Sequence, residues 1–222
     1  MRKLLFLLVF LTAITAKMMA QTDNERDHVV VTLNDGSEIE GFVTRYWTEN
    51  GLFGSVNRDF KMRPVNTAEE RHYTAEQVQK IRFIHPIYGD NKENVISALV
   101  AHPTTFKPRR QIRQFVHLED ATSRGTIYWW NGIDSQRMQL GTATLTTIYG
   151  VRLGDDDIVV PFMTGSVVTL NVLRTFYKKK DKQLVDYLDQ RILSGGKRLW
   201  DSMAQHPGMF LQFIDDYYSN NK

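Results

Sequence analysis

Cysteine is absent from all 222 residues of this chain. No disulfide can therefore stabilise the fold, and thiolate nucleophiles and cysteine-rich zinc sites are excluded. The sequence also lacks the Gly-x-Ser-x-Gly motif of serine hydrolases and the His-Glu-x-x-His motif of zinc enzymes. Ser194-Gly-Gly-Lys197 lacks the first glycine and the Ser or Thr after lysine that a phosphate-binding loop requires. We therefore predict no catalytic residue, no metal site and no cofactor, which favours a protein that is not an enzyme.

Long hydrophobic runs are missing as well. Residues 4–14 are predominantly apolar, but Lys17 follows closely, and a membrane-spanning helix needs about 20 apolar residues. A short basic head, an apolar run and small residues in this order are typical of a secretory signal peptide. We expect residues 1–20 to be removed by cleavage after Ala20, with cleavage after Ala16 as the alternative.

Removal of this leader decides the charge of the exported protein. The whole chain has 28 basic and 25 acidic residues, and the leader holds three of the basic ones and no acidic one. The mature chain is therefore electrically neutral, which argues against nucleic acid as a partner. Basic residues concentrate at 106–113 and 178–180, and we interpret both groups as solvated surface. Because no cysteine is present for acylation, the protein is not a lipoprotein. We expect it in the periplasm or at the periphery of the outer membrane, with no transmembrane segment.

The first part of the mature chain has a strong β pattern. Val29, Val31 and Leu33 alternate with other residues, Asp35-Gly36 is typical of a hairpin turn, and the alternation resumes after the turn. Gly41 in the second strand suggests the bulge or bend that a small barrel needs.

The same residues carry a resemblance. The string VVVTLNDGSEIEGFV resembles the opening of Sm-like and SH3-like small barrels, with V-x-L-x-D-G followed by I-x-G-x-V. The likeness covers residues 27–86 and implies a small β-barrel over residues 21–88. The Arg-Gly turn with which Sm proteins contact RNA is absent, and residues 76–80 stand in its place, so the resemblance implies the fold without RNA binding. The whole chain also resembles uncharacterised exported proteins of Bacteroidetes-type bacteria.

The remaining residues predict a different architecture. Residues 89–113 are expected to form a short helix, with Val95, Ile96, Leu99 and Val100 on one face, and a basic connector. Residues 114–222 are expected to form an antiparallel β-meander packed with C-terminal helices. The predicted strands cover 114–118, 126–131, 139–153 and 157–162, with turns at 123–125, 131–132 and 154–156. Apolar residues three and four apart predict helices from Ser166 onward, one of them ending at residues 194–196. The predicted fold class is α+β, with a small N-terminal barrel followed by the meander and helices.

Exposed aromatic side chains are the best candidates for contact with a partner. In a strand, Trp129 faces away from Tyr128 and Trp130, so one face is predicted to be core. The other face is either available for stacking on a sugar or a protein, or covered by the C-terminal helices. Trp47 is a second candidate of this kind. His117 and Glu119 share a strand face, and residues 155–157 form an acidic turn, but neither has the spacing of a known site.

These observations indicate an exported binding or scaffolding module of the cell envelope that performs no catalysis. An envelope protein or a glycan is the expected partner, and the oligomeric state is left open. The alternative hypothesis is an envelope hydrolase that acts on glycan or peptidoglycan, with a tryptophan as its sugar platform.

Overall fold

The computed structural model describes residues 27–46, 57–85, 94–101, 111–133, 145–165 and 167–220. Within these ranges the chain forms eleven strands and then three helices. The strands are β1 (His28–Leu33), β2 (Glu38–Arg45), β3 (Asp59–Pro64), β4 (Arg71–Thr74), β5 (Val78–Phe83), β6 (Asn94–Ala101), β7 (Gln111–Ala121), β8 (Gly125–Ile133), β9 (Leu145–Leu153), β10 (Ile158–Thr164) and β11 (Val167–Val168). The helices are α1 (Asn171–Tyr177), α2 (Lys182–Gln205) and α3 (Met209–Asn220).

All eleven strands belong to one sheet in the order β11-β10-β9-β8-β7-β6-β5-β1-β2-β3-β4. Neighbouring strands in this order are antiparallel. One additional, parallel pairing sets Leu99 and Val100 of β6 beside Ile158 and Val159 of β10. This pairing closes β6 to β10 into a ring of five strands. The first part of β6 pairs with β5, whereas its last part pairs with β10. Strand β6 therefore joins the ring to the rest of the sheet.

The predicted fold class is wrong, because the N-terminal strands do not form a separate small barrel. Strands β1 to β5 continue into β6 through the pairing of Lys80 with Ile96 and of Ile81 with Val95. Among the described strands, no pairing joins β4 to a second neighbour, so the sheet is open at that edge. The structure is therefore one mostly antiparallel eleven-stranded sheet accompanied by three helices.

The helix predicted within residues 89–113 is also wrong, and this error explains the previous one. Residues 94–101 form β6, and both faces of that strand are covered: Val95 packs into one cluster while Ala98 and Val100 pack into another. A strand buried on both faces is a continuous apolar run, which periodicity cannot distinguish from a buried helix. The segment expected to divide the chain is therefore the strand that joins its two halves. The predicted connector lies mostly outside the described residues, and its last three residues belong to β7.

Three hydrophobic clusters form the core. The first lies among β1 to β7 and includes Val29, Phe60 and Phe115. The second is inside the ring, because its residues come from alternate positions of all five ring strands: Ala98, Val100, Val116, Tyr128, Trp130, Ile148 and Val159. The third joins the opposite face of β8, β9 and β10 to the helices, where Phe162 stacks on Phe210 with ring centroids 4.1 Å apart.

Several local predictions are confirmed. Gly36 has φ +84° in the hairpin turn, where its amide donates to Leu33, and Gly154 has φ +53° in the turn before β10. Helices follow residue 166, and α2 breaks at Gly196, where the backbone leaves helical geometry. The predicted turn at 131–132 is wrong, because β8 continues through both residues to Ile133. In the part of the chain that the structure describes, no helix is long and apolar enough to cross a membrane.

Candidate functional site

The aromatic candidates fall into different environments. Tyr128 and Trp130 point into the ring, and each exposes only 3% of its surface. Trp129 points to the opposite face and is partly buried, so the predicted alternation along this strand is confirmed. Trp47 lies outside the described residues. Both rings are therefore enclosed among apolar side chains, and their role as partner contacts stays a prediction.

Trp129 stacks on His117, its cross-strand neighbour on β7. The ring centroids are 4.0 Å apart and the planes are 10° from parallel. Burial lowers the pKa of His117 to about 4, so the imidazole is neutral at physiological pH. Beyond Trp129, on β9, burial and then the nearby charge of Glu119 raise the pKa of Tyr149. One face of Trp129 is therefore occupied by the protein itself, which limits its use as a sugar platform.

A second feature is a groove of about 510 Å³ on the sheet face that continues the inner face of the ring. Its wall is rich in cations and hydrogen-bonding side chains. The lining residues are Thr32, Glu38, Gln79, Lys80, Arg82, Ile96, Ser97 and Arg152. We call this feature the basic groove.

Strand geometry brings the three cations of the basic groove together. Ile81 on β5 points into the N-terminal core, so Lys80 and Arg82 on either side of it point to the groove. Lys80 lies opposite Thr32 of β1 on one side and opposite Ile96 of β6 on the other. Arg152 comes from β9, and its guanidinium carbon is 5.2 Å from the ring centroid of Tyr128. A cation–π contact therefore holds Arg152 at the end of the ring interior, facing the groove.

The three cations keep their charge available. Among the described residues, no carboxylate forms an ion pair with Lys80, Arg82 or Arg152. The acidic side chains of this face, Glu38 and Glu40, lie on β2, and β1 separates that strand from β5. The backbones of β2 and β5 are therefore about 10 Å apart, and Glu38 also lines the groove.

The remaining lining residues offer neutral hydrogen-bonding groups. The Thr32 hydroxyl donates to Glu38 over 3.4 Å, and the Gln79 amide is exposed beside them. Ile96 adds an apolar surface. A concave surface with several cations, one carboxylate, hydroxyls and an apolar wall can hold a small anionic ligand that also carries hydroxyl groups.

The described members of the charge clusters noted in the sequence are not among the residues that line this groove. Lys180 is hydrogen-bonded to Asp156 of the acidic turn, so one cation of residues 178–180 is paired with one carboxylate of residues 155–157. From the basic connector, Arg113 donates to the Ser97 hydroxyl over 3.4 Å, and residues 106–110 lie outside the described residues. Sequence reasoning missed the groove: the alternation Lys80-Ile81-Arg82 is a signal that could have indicated its basic strand, but it cannot identify Arg152 as a neighbour.

Comparison with known proteins found no match among models of protein families, curated proteins or solved structures. The basic groove therefore has to be interpreted from its own chemistry.

Proposed function

We propose that this protein is an exported binding module of the cell envelope, and that its basic groove binds an acidic glycan. The observation that carries the proposal is the convergence of Lys80, Arg82 and Arg152 on one groove without a carboxylate partner among the described residues. Charge-assisted hydrogen bonds from such cations to a carboxylate are about twice as strong as neutral ones.

The composition of the groove favours a sugar carboxylate over a larger polyanion. Thr32 and Gln79 offer polar groups to sugar hydroxyls, and Ile96 offers an apolar surface to the ring. Glu38 and Glu40 flank the cations two strands away and would repel a long run of phosphates. The neutral mature chain adds no long-range attraction for nucleic acid. A ligand with one or a few separated carboxylates is compatible with the flanking acidic residues and with the neutral charge of the mature chain.

Export is the second part of the proposal, and the leader supports it. Residues 1–20 have the order of a signal peptide, and no cysteine is present for lipid attachment. Amino-terminal sequencing of the protein from the envelope fraction is expected to start at Gln21, or at Lys17 if the alternative site is used. A protein that retains Met1 in the soluble cytoplasmic fraction would contradict export.

No observation favours the hydrolase alternative. That hypothesis requires two facing carboxylates beside an exposed tryptophan. Among the described residues, the lining of the basic groove contains one carboxylate, Glu38, and no tryptophan. Trp130 is enclosed in an apolar cluster instead.

The experiment is isothermal titration calorimetry of the mature chain, residues 21–222, with defined oligosaccharides. Trigalacturonic acid supplies carboxylates, a neutral galactose trimer supplies the same hydroxyls without charge, and galactose 6-phosphate supplies a phosphate. We expect trigalacturonic acid to bind and the neutral trimer not to bind. If galactose 6-phosphate binds more tightly than trigalacturonic acid, the groove is still an anion site, but its ligand is a phosphate and not a glycan carboxylate.

Arg82→Glu is the matched test variant, because Arg82 is exposed in the groove and makes no ion pair with the described residues. Loss of one charged hydrogen bond weakens binding by about tenfold or more. Lys179→Glu makes the same change of net charge on an exposed site far along the chain and serves as the control. Equal weakening by both variants, or equal binding of the charged and neutral trimers, would refute a specific site.

A further inference from the structure

Glu38 is the acidic side chain among the described residues that line the basic groove. We propose that Glu38 binds a protonated amine of the ligand, so that the groove selects an acidic glycan that also carries a free amino group. This inference rests on the proposed function, because Lys80 and Arg82 have to bind the acid of the same ligand. It adds a positive charge to the ligand and assigns that charge to a place in the groove.

The strand register places Glu38 and Lys80 in one row across the sheet. Thr32 of β1 pairs with Glu38 of β2 on one side and with Lys80 of β5 on the other. Residues paired across neighbouring strands point to the same face of a sheet, so all three side chains face the groove. A ligand that lies across β1 therefore meets a carboxylate at one end and an ammonium group at the other.

The Glu38 carboxylate is turned toward β1 and has no cationic partner. The Thr32 hydroxyl donates to Glu38 Oε1 over 3.4 Å, which directs the carboxylate toward the middle of the row. In the part of the chain that the structure describes, no basic side chain forms an ion pair with Glu38. Glu38 is also exposed, so a ligand can reach it from solvent. Such a carboxylate can accept charge-assisted hydrogen bonds from an ammonium group.

Glu40 is the next acidic residue on this face, and its environment differs. It pairs with Val30 of β1, which pairs with Arg82, so these three residues form a second row. His28 Nε2 lies 2.8 Å from Glu40 Oε1, and Glu40 is not among the lining residues of the groove. Glu40 therefore already has a partner, and the two glutamates form a matched pair for mutagenesis.

The spacing of the strands sets the spacing of the two charges that the ligand must carry. The backbones of β2 and β5 are about 10 Å apart, because β1 lies between them. The acid and the amine of the ligand therefore belong to different parts of it, such as two neighbouring sugar residues. The Thr32 side chain lies between the two charges and can hydrogen-bond a sugar hydroxyl. An amino sugar linked to a sugar acid fits this arrangement.

The experiment is calorimetric titration of the mature chain, residues 21–222, with three disaccharides of similar size. Glucuronic acid linked to glucosamine carries an acid and a free amine, its N-acetylated form carries the acid alone, and the glucosamine dimer carries amines alone. At about pH 6 the free amine is protonated. We expect the free-amine acid to bind about threefold to tenfold more tightly than its N-acetylated form, because it gains one charge-assisted hydrogen bond at an exposed site. The glucosamine dimer should bind most weakly, because the cations of the groove repel it.

Glu38→Gln is the test variant, because it keeps the length of the side chain and removes its charge. It should abolish the preference for the free amine, while the N-acetylated acid binds at least as tightly as it does to the wild type. Glu40→Gln makes the same change two residues along the same strand and should keep the wild-type preference. Both positions are exposed, and circular dichroism checks that each variant is folded.

The outcomes distinguish this inference from the proposed function. If trigalacturonic acid and the N-acetylated acid bind but the free amine adds no affinity, the acidic-glycan site stands and the role of Glu38 is refuted. If no acid binds, both proposals fail. An undiminished preference in Glu38→Gln, or an equal loss of preference in Glu40→Gln, would also refute this role. A purely structural role of Glu38 would change the binding of both acids by the same factor and leave their ratio unaltered.

Discussion

Gly150 on β9 is the position at which one added methyl group should report on the interior of the ring. A Cβ atom at this residue would lie 2.7 Å from Val159 Cγ1 and 2.8 Å from Cη2 of the Trp130 ring. Val159 and Trp130 belong to two other walls of the closed ring, so neither can withdraw without moving a strand. Overpacking of this kind costs about 1–3 kcal/mol. We expect Gly150→Ala to lower the free energy of unfolding by about 3 kcal/mol, because two rigid neighbours are too close at once.

A double-mutant cycle with Trp130→Leu tests whether the tryptophan is the cause. Trp130→Leu alone leaves a cavity beside Gly150 and should cost about 3 kcal/mol or more. In the double variant the alanine methyl occupies part of that cavity. The combined loss should therefore be smaller than the sum of the single losses by about 1–2 kcal/mol.

Urea unfolding followed by far-ultraviolet circular dichroism measures all three variants without depending on the fluorescence of the removed indole. Thr147→Ala, at a partly buried position of the same strand, is the control and should change the free energy of unfolding by much less. Simple additivity of the two substitutions would refute the packing argument. If Trp130→Leu were as stable as the wild type but no longer bound a ligand that the wild type binds, Trp130 would be a binding residue rather than a core residue.

Two further predictions concern stability. The free energy of unfolding should fall by about 3 kcal/mol between pH 7 and pH 4, because the unfolded chain protonates His117 near its ordinary pKa of about 6.5 whereas burial lowers the folded pKa to about 4. Urea titrations at both pH values should show a smaller fall for His117→Gln, and an identical fall would contradict this cause. Asp181→Ala should cost about 1–3 kcal/mol, because Asp181 accepts the Leu184 amide at 2.8 Å at the start of α2 and also the hydroxyls of two tyrosines of α3. Thermal unfolding should show a loss for Asp181→Ala and almost none for the exposed Asp186→Ala, and equal losses would show that the cap has no special role.

Local sequence patterns predicted the elements whose two faces differ. β1 and β2 alternate around a turn at Asp35-Gly36, and the helices bury one stripe of residues such as Leu184 and Leu188. A half-buried strand and an amphipathic helix have different periods, so each is recognisable by itself. The break of α2 at Gly196 was predictable for the same local reason, since glycine accepts the positive φ of 55° found there.

Elements buried on both sides carried no such signal. Val95, Ile96, Leu99 and Val100 fit one face of a helix as well as two faces of a strand, and only the pairing with β5, β7 and β10 decides between them. Because that one segment was predicted to be helical, the chain divided into a barrel and a second domain. The pairing of strands in the folded protein, which local sequence patterns do not reveal, makes the strands of both parts a single sheet.

The basic groove lay beyond sequence reasoning for a related reason. Arg152 is distant in sequence from Lys80 and Arg82, and closure of the ring together with the β5–β6 pairing brings it near them. The equal numbers of basic and acidic residues in positions 21–222 also hide a separation of charge on this face. Basic residues occupy β5, acidic residues occupy β2, and β1 lies between them with Val30 and Thr32. A sheet in which β2 and β5 were adjacent would pair these charges and leave no groove for an anion. The strand order itself therefore keeps Lys80 and Arg82 available to a ligand.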